Sequence, residues 1–277
     1  MAIPERRRRL IVNADDFGLS SAVNEAVARA HAEGILTTAS LMVTGAACSG
    51  AVEVARANPR LGVGLHLVLV CGRAARPPAE VPGLADARGE LSGSPVAAGL
   101  RYFLRRSLRE QLRQEIAGQF DRFAETGLPL DHVNGHLNFH LQPTVFRLAL
   151  DAAAVRGCRQ WRLTRDPLWL NASLARGAWA YRLSHAVVFA LLSAWARPRL
   201  SRRGFRHTAN VFGLLQNGRV DEAYLLRLLP RLPPGDSELY SHPSLTDFHH
   251  EFEALVSPRV RAAVAAAGLE LIRYQDL

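Results

Sequence analysis

Apolar and polar positions fall into blocks that repeat along the chain. Residues 10–12 form a short β-branched run that stops at Asn13-Ala14-Asp15-Asp16-Phe17-Gly18, as a buried parallel strand does when it hands polar side chains to a loop. Ser20 or Ser21 can cap the helix that follows, in which Val23, Ala26, Val27 and Ala30 share one face and Gly34 marks the stop. The same order recurs. Residues 39–43 predict a second strand, residues 51–57 a helix closed by Asn58-Pro59, and residues 61–69 a third strand. Leu104, Leu108, Leu112, Ile116 and Phe120 or Phe123 line up on one face of a single amphipathic helix over 101–126. Residues 130–134 predict a strand, Pro143 opens a helix through Ala154, Glu238 to Pro243 reads as another strand end, and residues 268–274 supply the last strand. Strands alternating with helices imply a parallel sheet covered by helices, an α/β fold.

Two stretches break the rhythm. Over 73–95 the Pro, Gly and Ala content rises and periodicity vanishes, so this is a long surface loop, a lid or rim rather than a domain linker. Residues 178–196 are apolar on most faces, with Trp179, Leu183, Val187, Ala190, Leu191 and Ala194 at helical spacing and Arg182 and His185 among them. A membrane-spanning helix needs about 20 predominantly apolar residues, and an interior arginine argues against spanning. Arg176, Arg197, Arg199, Arg202, Arg203 and Arg206 instead suit a helix that lies on an anionic bilayer, with a buried barrel helix as the alternative. The chain reads as a single domain over 1–277 with an inserted helical segment near 165–225.

Composition narrows the classes. Hydrophobic residues at 48% and charged residues at 21% are ordinary for a globular protein and exclude a disordered one. The net charge of +9 comes from arginine alone, since lysine is absent, and it favours anionic surfaces. Nucleic acid is not implied, because zinc-finger spacing, a helix-turn-helix signature and basic runs with interleaved aromatics are all missing. Cys48, Cys71 and Cys158 are odd in number and widely spaced, so they read as buried thiols in a reducing compartment. The run Met1 to Arg9 leads into only three apolar residues, too few for a signal peptide, and the expected location is the cytoplasm, with peripheral attachment at the inner face of the membrane as an extension.

Polar clusters recur where strands stop, which in α/β sheets and barrels is where catalytic groups collect. Adjacent carboxylates at a strand end point in different directions, so Asp16 can hold a metal while Asp15 handles a proton; alone, such a pair is more often a turn and helix cap. His66 alone would pass for a core histidine. His136 and His140 lie four apart, yet Gly135 and Pro143 around them indicate a loop. Together, Asp16, His66 and His136 from three strand ends make the set of a hydrolytic metal site with open positions. Mixed oxygen and nitrogen donors suit zinc or magnesium, and manganese or cobalt as well. His140 is expected beside a ligand or facing substrate, and His132, His249 and His250 to be solvated or structural.

The segments Ile11 to Gly18, Gly64-Leu65-His66-Leu67, His132 to Pro143 and Ser241-His242-Pro243 resemble the YdjC-like carbohydrate deacetylase family. The resemblance covers residues 10–72, the His136 motif and the stretch ending in Tyr274-Gln275-Asp276, and is thin over 155–225. Val133-Asn134-Gly135-His136, Phe139-His140-Leu141 and the extra central segment are most similar to its hopanoid-biosynthesis branch. The resemblance implies a distorted (β/α) barrel, one divalent metal ion on Asp16, His66 and His136, and removal of an acetyl group from an N-acetylglucosamine unit. Asp15 is then the base, and His242 the acid that protonates the leaving amine. Many relatives carry Asp-Ser where this chain has Asn134-Gly135, which leaves Asn134 to hydrogen-bond a ligand. An apolar, arginine-flanked middle favours a glycolipid substrate on an anionic membrane. A soluble chitooligosaccharide deacetylase and a non-catalytic sugar-lipid binding protein are the alternatives, and the sequence is silent on oligomeric state.

Overall fold

A computed structural model describes residues 7–175 and 177–277; the start of the Met1 to Arg9 run and Arg176 lie outside the described residues. The strands are β1 (Arg8–Phe17), β2 (Thr38–Leu41), β3 (Gly62–Leu67), β4 (Val133–Gly135), β5 (Asn210–Phe212), β6 (Gly235–Ser241) and β7 (Leu269–Leu271). All pair in parallel in the order β4-β3-β2-β1-β6-β5, and β7 runs beside the first residues of β1. The sheet curls until its edges are bridged by residues 159–165. Arg162 N donates to Val133 O on one side, while Trp161 N donates to Arg206 O and Val211 N to Arg165 O on the other. The result is the distorted (β/α) barrel that the resemblance implies.

Helices α1 (Ser21–Glu33), α2 (Cys48–Ala57), α3 (Pro95–Leu104), α4 (Arg109–Glu125), α5 (Pro143–Val155), α6 (Leu168–Leu174), α7 (Trp179–Arg202), α8 (Glu222–Leu228), α9 (His249–Val256) and α10 (Pro258–Ala266) surround the strands. Ser20 caps α1 through Val23 N, and α4 buries Leu112, Ile116, Phe120 and Phe123 on its inner face, each burial contributing about 1.5–3 kcal/mol.

Several expectations need correction. The single helix over 101–126 is two helices, because Arg105 is extended (φ −91°, ψ 96°) and a short 3₁₀ turn follows before α4. The leucine spacing carries across that break, which is why the pattern hides it. The loop over 73–95 is anchored on α4, and its end belongs to α3. Buried Glu115 accepts from Ala75 N and Arg76 N, and Gln111 from Gly83 N, so α4 pins it down. All three cysteines are free, but only Cys158 is buried and Cys71 is exposed. β1 does not stop at Asn13 but continues through both aspartates to Phe17.

The inserted α7 is turned inside out in its first half. Arg182 and Ser193 face the body of the protein, whereas Trp179, Leu183, Val187, Val188 and Leu191 face outward. Among the described residues no helix is long and apolar enough to cross a membrane.

Candidate metal and catalytic site

Side chains in a strand alternate between its two faces, so Asp15 and Asp16 should point apart. Register between β1 and β2 shifts between Ala14 and Phe17, and Asp16 adopts φ 61°. This bulge, in a conformation that non-glycine residues rarely adopt, brings both carboxylates to the barrel mouth. There Asp16 meets His66 near the end of β3 and His136 just after β4. One donor atom from each lies within 4.8 Å of the others. Asp16 Oδ1 is 2.9 Å from His136 Nδ1 and 3.2 Å from His66 Nε2.

Hydrogen-bond roles around the cluster are forced. Asp15 Oδ1 accepts from Asn13 Nδ2 (2.8 Å), Arg162 Nη2 (2.9 Å) and Asn134 Nδ2 (3.3 Å), and Oδ2 accepts from Arg162 Nη1 (2.6 Å). A carboxylate only accepts, so Asn134 turns its amino group to Asp15 and its carbonyl oxygen to His66 Nδ1, 2.7 Å away. His66 Nδ1 therefore carries the proton and Nε2 presents a lone pair. That atom is buried with no hydrogen-bond partner. A lone pair facing a carboxylate oxygen is unfavourable unless a cation lies between them, so the donor set fits a divalent metal ion with positions left for other ligands.

Asp15 belongs to a buried ionic chain. Burial alone would push its carboxyl up, but the Arg162 guanidinium outweighs this and holds its pKa at about 2. Burial likewise opposes ionisation of Asp16, and the hydrogen bond from His136, with the neighbouring imidazoles of His66 and His242, keeps its carboxyl well below the usual carboxylate range. Arg162 also donates from Nε to Glu238 Oε1 (2.8 Å), lies 4.4 Å over the Tyr240 ring, and shares Glu238 with the Tyr274 hydroxyl, which donates to Oε2.

His242 follows β6 at the same end of the barrel. Its backbone N–H donates to Glu251 Oε2 (2.6 Å), and Glu251 Oε1 accepts from Val220 N (2.9 Å), so one buried carboxylate fixes the Ser-His-Pro loop. The imidazole is half-buried, and its positive charge, when present, is among the influences that lower Asp15 and Asp16.

The remaining histidines serve the frame. His140 is fully buried beneath the site, its Nε2 meets Arg162 O at 3.0 Å, and burial drives its pKa down to about 3. His132 is buried rather than solvated, stacked on Tyr274 and bonded through Nδ1 to Asp131 and Nε2 to Ser40. His249 and His250 are exposed on α9.

A YdjC-like protein family model matches residues 9–266. The chain belongs to the YdjC-like family. Within reach of the family are proteins named carbohydrate deacetylase in Brevibacillus brevis, 38% identical over 52% of this chain and 55% of that one, and in Geobacillus stearothermophilus, 29% identical over 97% and 98%. A chitooligosaccharide deacetylase of Salmonella dublin is 30% identical over 98% and 99%. Among solved structures, a protein of Enterococcus faecalis V583 named for cellobiose-phosphate cleavage superposes with TM-score 0.74 at 23% identity over 98% of both chains, and shares the fold.

Arg162, Glu238, Tyr274 and Glu251 had no motif to announce them. One signal was present: polar residues at period two along otherwise apolar strands, namely Asn13 and Asp15, Thr38 and Ser40, Glu238 with Tyr240 and His242. Inward-facing positions of a small barrel alternate in just this way. Gly64 belongs to the same set, since a Cβ there would lie 2.5 Å from the His132 ring.

Proposed function

We propose that the protein is a metal-dependent hydrolase that removes the acetyl group from an N-acetylglucosamine unit, carried on a glycolipid of the hopanoid type. The observation that carries the deacetylase reading is the juxtaposition, at one barrel mouth, of the Asp16-His66-His136 donor set with the ionised Asp15. A divalent cation bound there, zinc or magnesium, with manganese and cobalt also compatible, supplies Lewis acidity that lowers the pKa of water and polarises an acetamide carbonyl.

The chain's own residues divide the remaining work. Asn134 fixes the His66 tautomer so that Nε2 stays a donor to the ion. Asp15 takes the proton of the attacking water. Arg162 weakens Asp15 as a base but keeps it ionised at any working pH, and Oδ2 accepts only one hydrogen bond, leaving room for the proton. An amine leaves readily only when protonated, and His242 is the donor. The relatives' names, carbohydrate and chitooligosaccharide deacetylase, support the reaction class.

The lipid part of the reading is supported by the outward apolar face of α7 and the arginines at its end. On this reading residues 1–277 work as one domain, the segment near 165–225 is an insertion that docks peripherally on an anionic membrane from the cytoplasmic side, and nucleic acid is no partner. The names of the Salmonella relatives favour a second reading, a soluble chitooligosaccharide as substrate.

Mass spectrometry of an N-acetylglucosaminyl lipid and of chitobiose, each incubated with metal-loaded protein, tests both. Loss of one acetyl group from the lipid alone or preferentially is expected. Loss only from chitobiose selects the second reading, and loss from neither removes the deacetylase assignment.

A further inference from the structure

The apolar surface beside the metal cluster is a groove of about 400 Å³ between α3 and α7. Leu100 and Phe103 form one wall, Phe189 and Leu192 the other, and Leu137 and Phe139 the floor. Its rims are open to water, with Val96 84% and Leu100 59% exposed. Leu137 is the residue after His136, so the chain that forms the floor of the groove is the chain that leaves the ligand cluster.

Charge separates this surface from the rest of the molecule. No aspartate or glutamate occurs in residues 91–109 or 167–220, the two segments that build the walls, whereas the first carries Arg101, Arg105, Arg106 and Arg109 and the second ends α7 with Arg197, Arg199 and Arg202. A protein partner recognised through this face would meet an apolar trough ringed by one sign of charge. An anionic leaflet offers the complement to both features, hydrocarbon and phosphate.

We infer that the groove between α3 and α7 holds the hydrocarbon anchor of the substrate while its amino sugar lies at Asp16, His66 and His136. This rests on the lipid-linked reading and adds where the lipid goes. The volume suits a single chain or a compact ring system, and α3, absent from the sequence-based picture of membrane contact, becomes half of the docking surface.

The test is photolabelling with an N-acetylglucosaminyl alkyl glycoside that carries a diazirine in its chain, presented in phosphatidylglycerol vesicles, with labelled peptides mapped by mass spectrometry. Label is expected within residues 95–104, 137–143 and 187–192. Gly99→Trp fills the groove and is expected to cut that labelling at least tenfold while metal affinity in a calorimetric titration and the unfolding midpoint are unchanged. Gly99→Ala, whose Cβ would sit at an ordinary 3.6 Å from Phe139, is expected to label normally. Label elsewhere, label indifferent to Gly99→Trp, or equal loss with Gly99→Ala overturns the inference. Groove labelling without acetyl loss from any sugar supports the groove and removes the deacetylase reading instead.

Discussion

Asp15 and Asp16 are neighbours in the chain with opposite surroundings. Asp16 faces two imidazoles and completes a donor set that could hold a cation; Asp15 faces an arginine and two amide groups. Substitution separates their roles. Asp16→Ala is expected to lose metal in a calorimetric titration. Asp15→Asn is expected to keep metal and lose about 10²–10⁴-fold in turnover, the range for removing a proton-transfer group. Full activity in both variants would sink the assignment. Asn134→Leu releases the His66 tautomer and opens a buried donor gap beside Asp15, and an approximately 10–100-fold weaker metal affinity is expected.

At the scale of elements, the segment 159–165 closes the barrel and carries Arg162 to its centre. Arg162→Met leaves Asp15 and Glu238 buried without their cation, and a loss of about 3–5 kcal/mol is expected from denaturant unfolding. His140 props this segment from behind. Above pH 6.5 it is neutral in both folded and unfolded chains. Between pH 6.5 and about 3 the unfolded chain binds a proton that the folded one refuses, so stability falls by about 1.4 kcal/mol per pH unit as the solution is acidified through that window. His140→Gln is expected to flatten the dependence, measured as unfolding midpoints from pH 7 to 4.

These elements were unequally legible in the sequence. The strands β1, β3 and β4 and the ligands at their ends stood out because a polar residue closing a β-branched or glycine-rich run breaks a local pattern. Arg162 and Glu238 lie 76 residues apart and pair only once the barrel closes, so no local window contains their relationship. The break at Arg105 leaves no trace in apolar spacing, which depends on which residues are present, not on the backbone angle of one of them. The outward face of α7 was undecidable from periodicity, since a helix apolar on most sides does not say which side meets solvent.

For the whole molecule, that outward face predicts a preference among surfaces. Flotation with phosphatidylglycerol vesicles is expected to carry the protein upward, zwitterionic vesicles to carry less, and Leu183→Asp with Leu191→Asp to abolish the difference. A protein that stays at the bottom with anionic vesicles removes the membrane reading without touching the metal site, whose residues face the barrel.

The strand order also sets a sequence of assembly. Arg8 in β1 pairs with Gly235 in β6 and with Leu269 in β7, so one edge of the first strand has no partner until more than two hundred further residues exist, about ten to forty-five seconds of synthesis. All three candidate ligands, Asp16, His66 and His136, are present by residue 136, well before Glu238 arrives to complete the charge balance around Arg162. A ribosome-bound chain thus carries Asp15 and the candidate ligands long before His242, and it must shelter an open β-edge in the meantime, which predicts slow folding with a long window for aggregation.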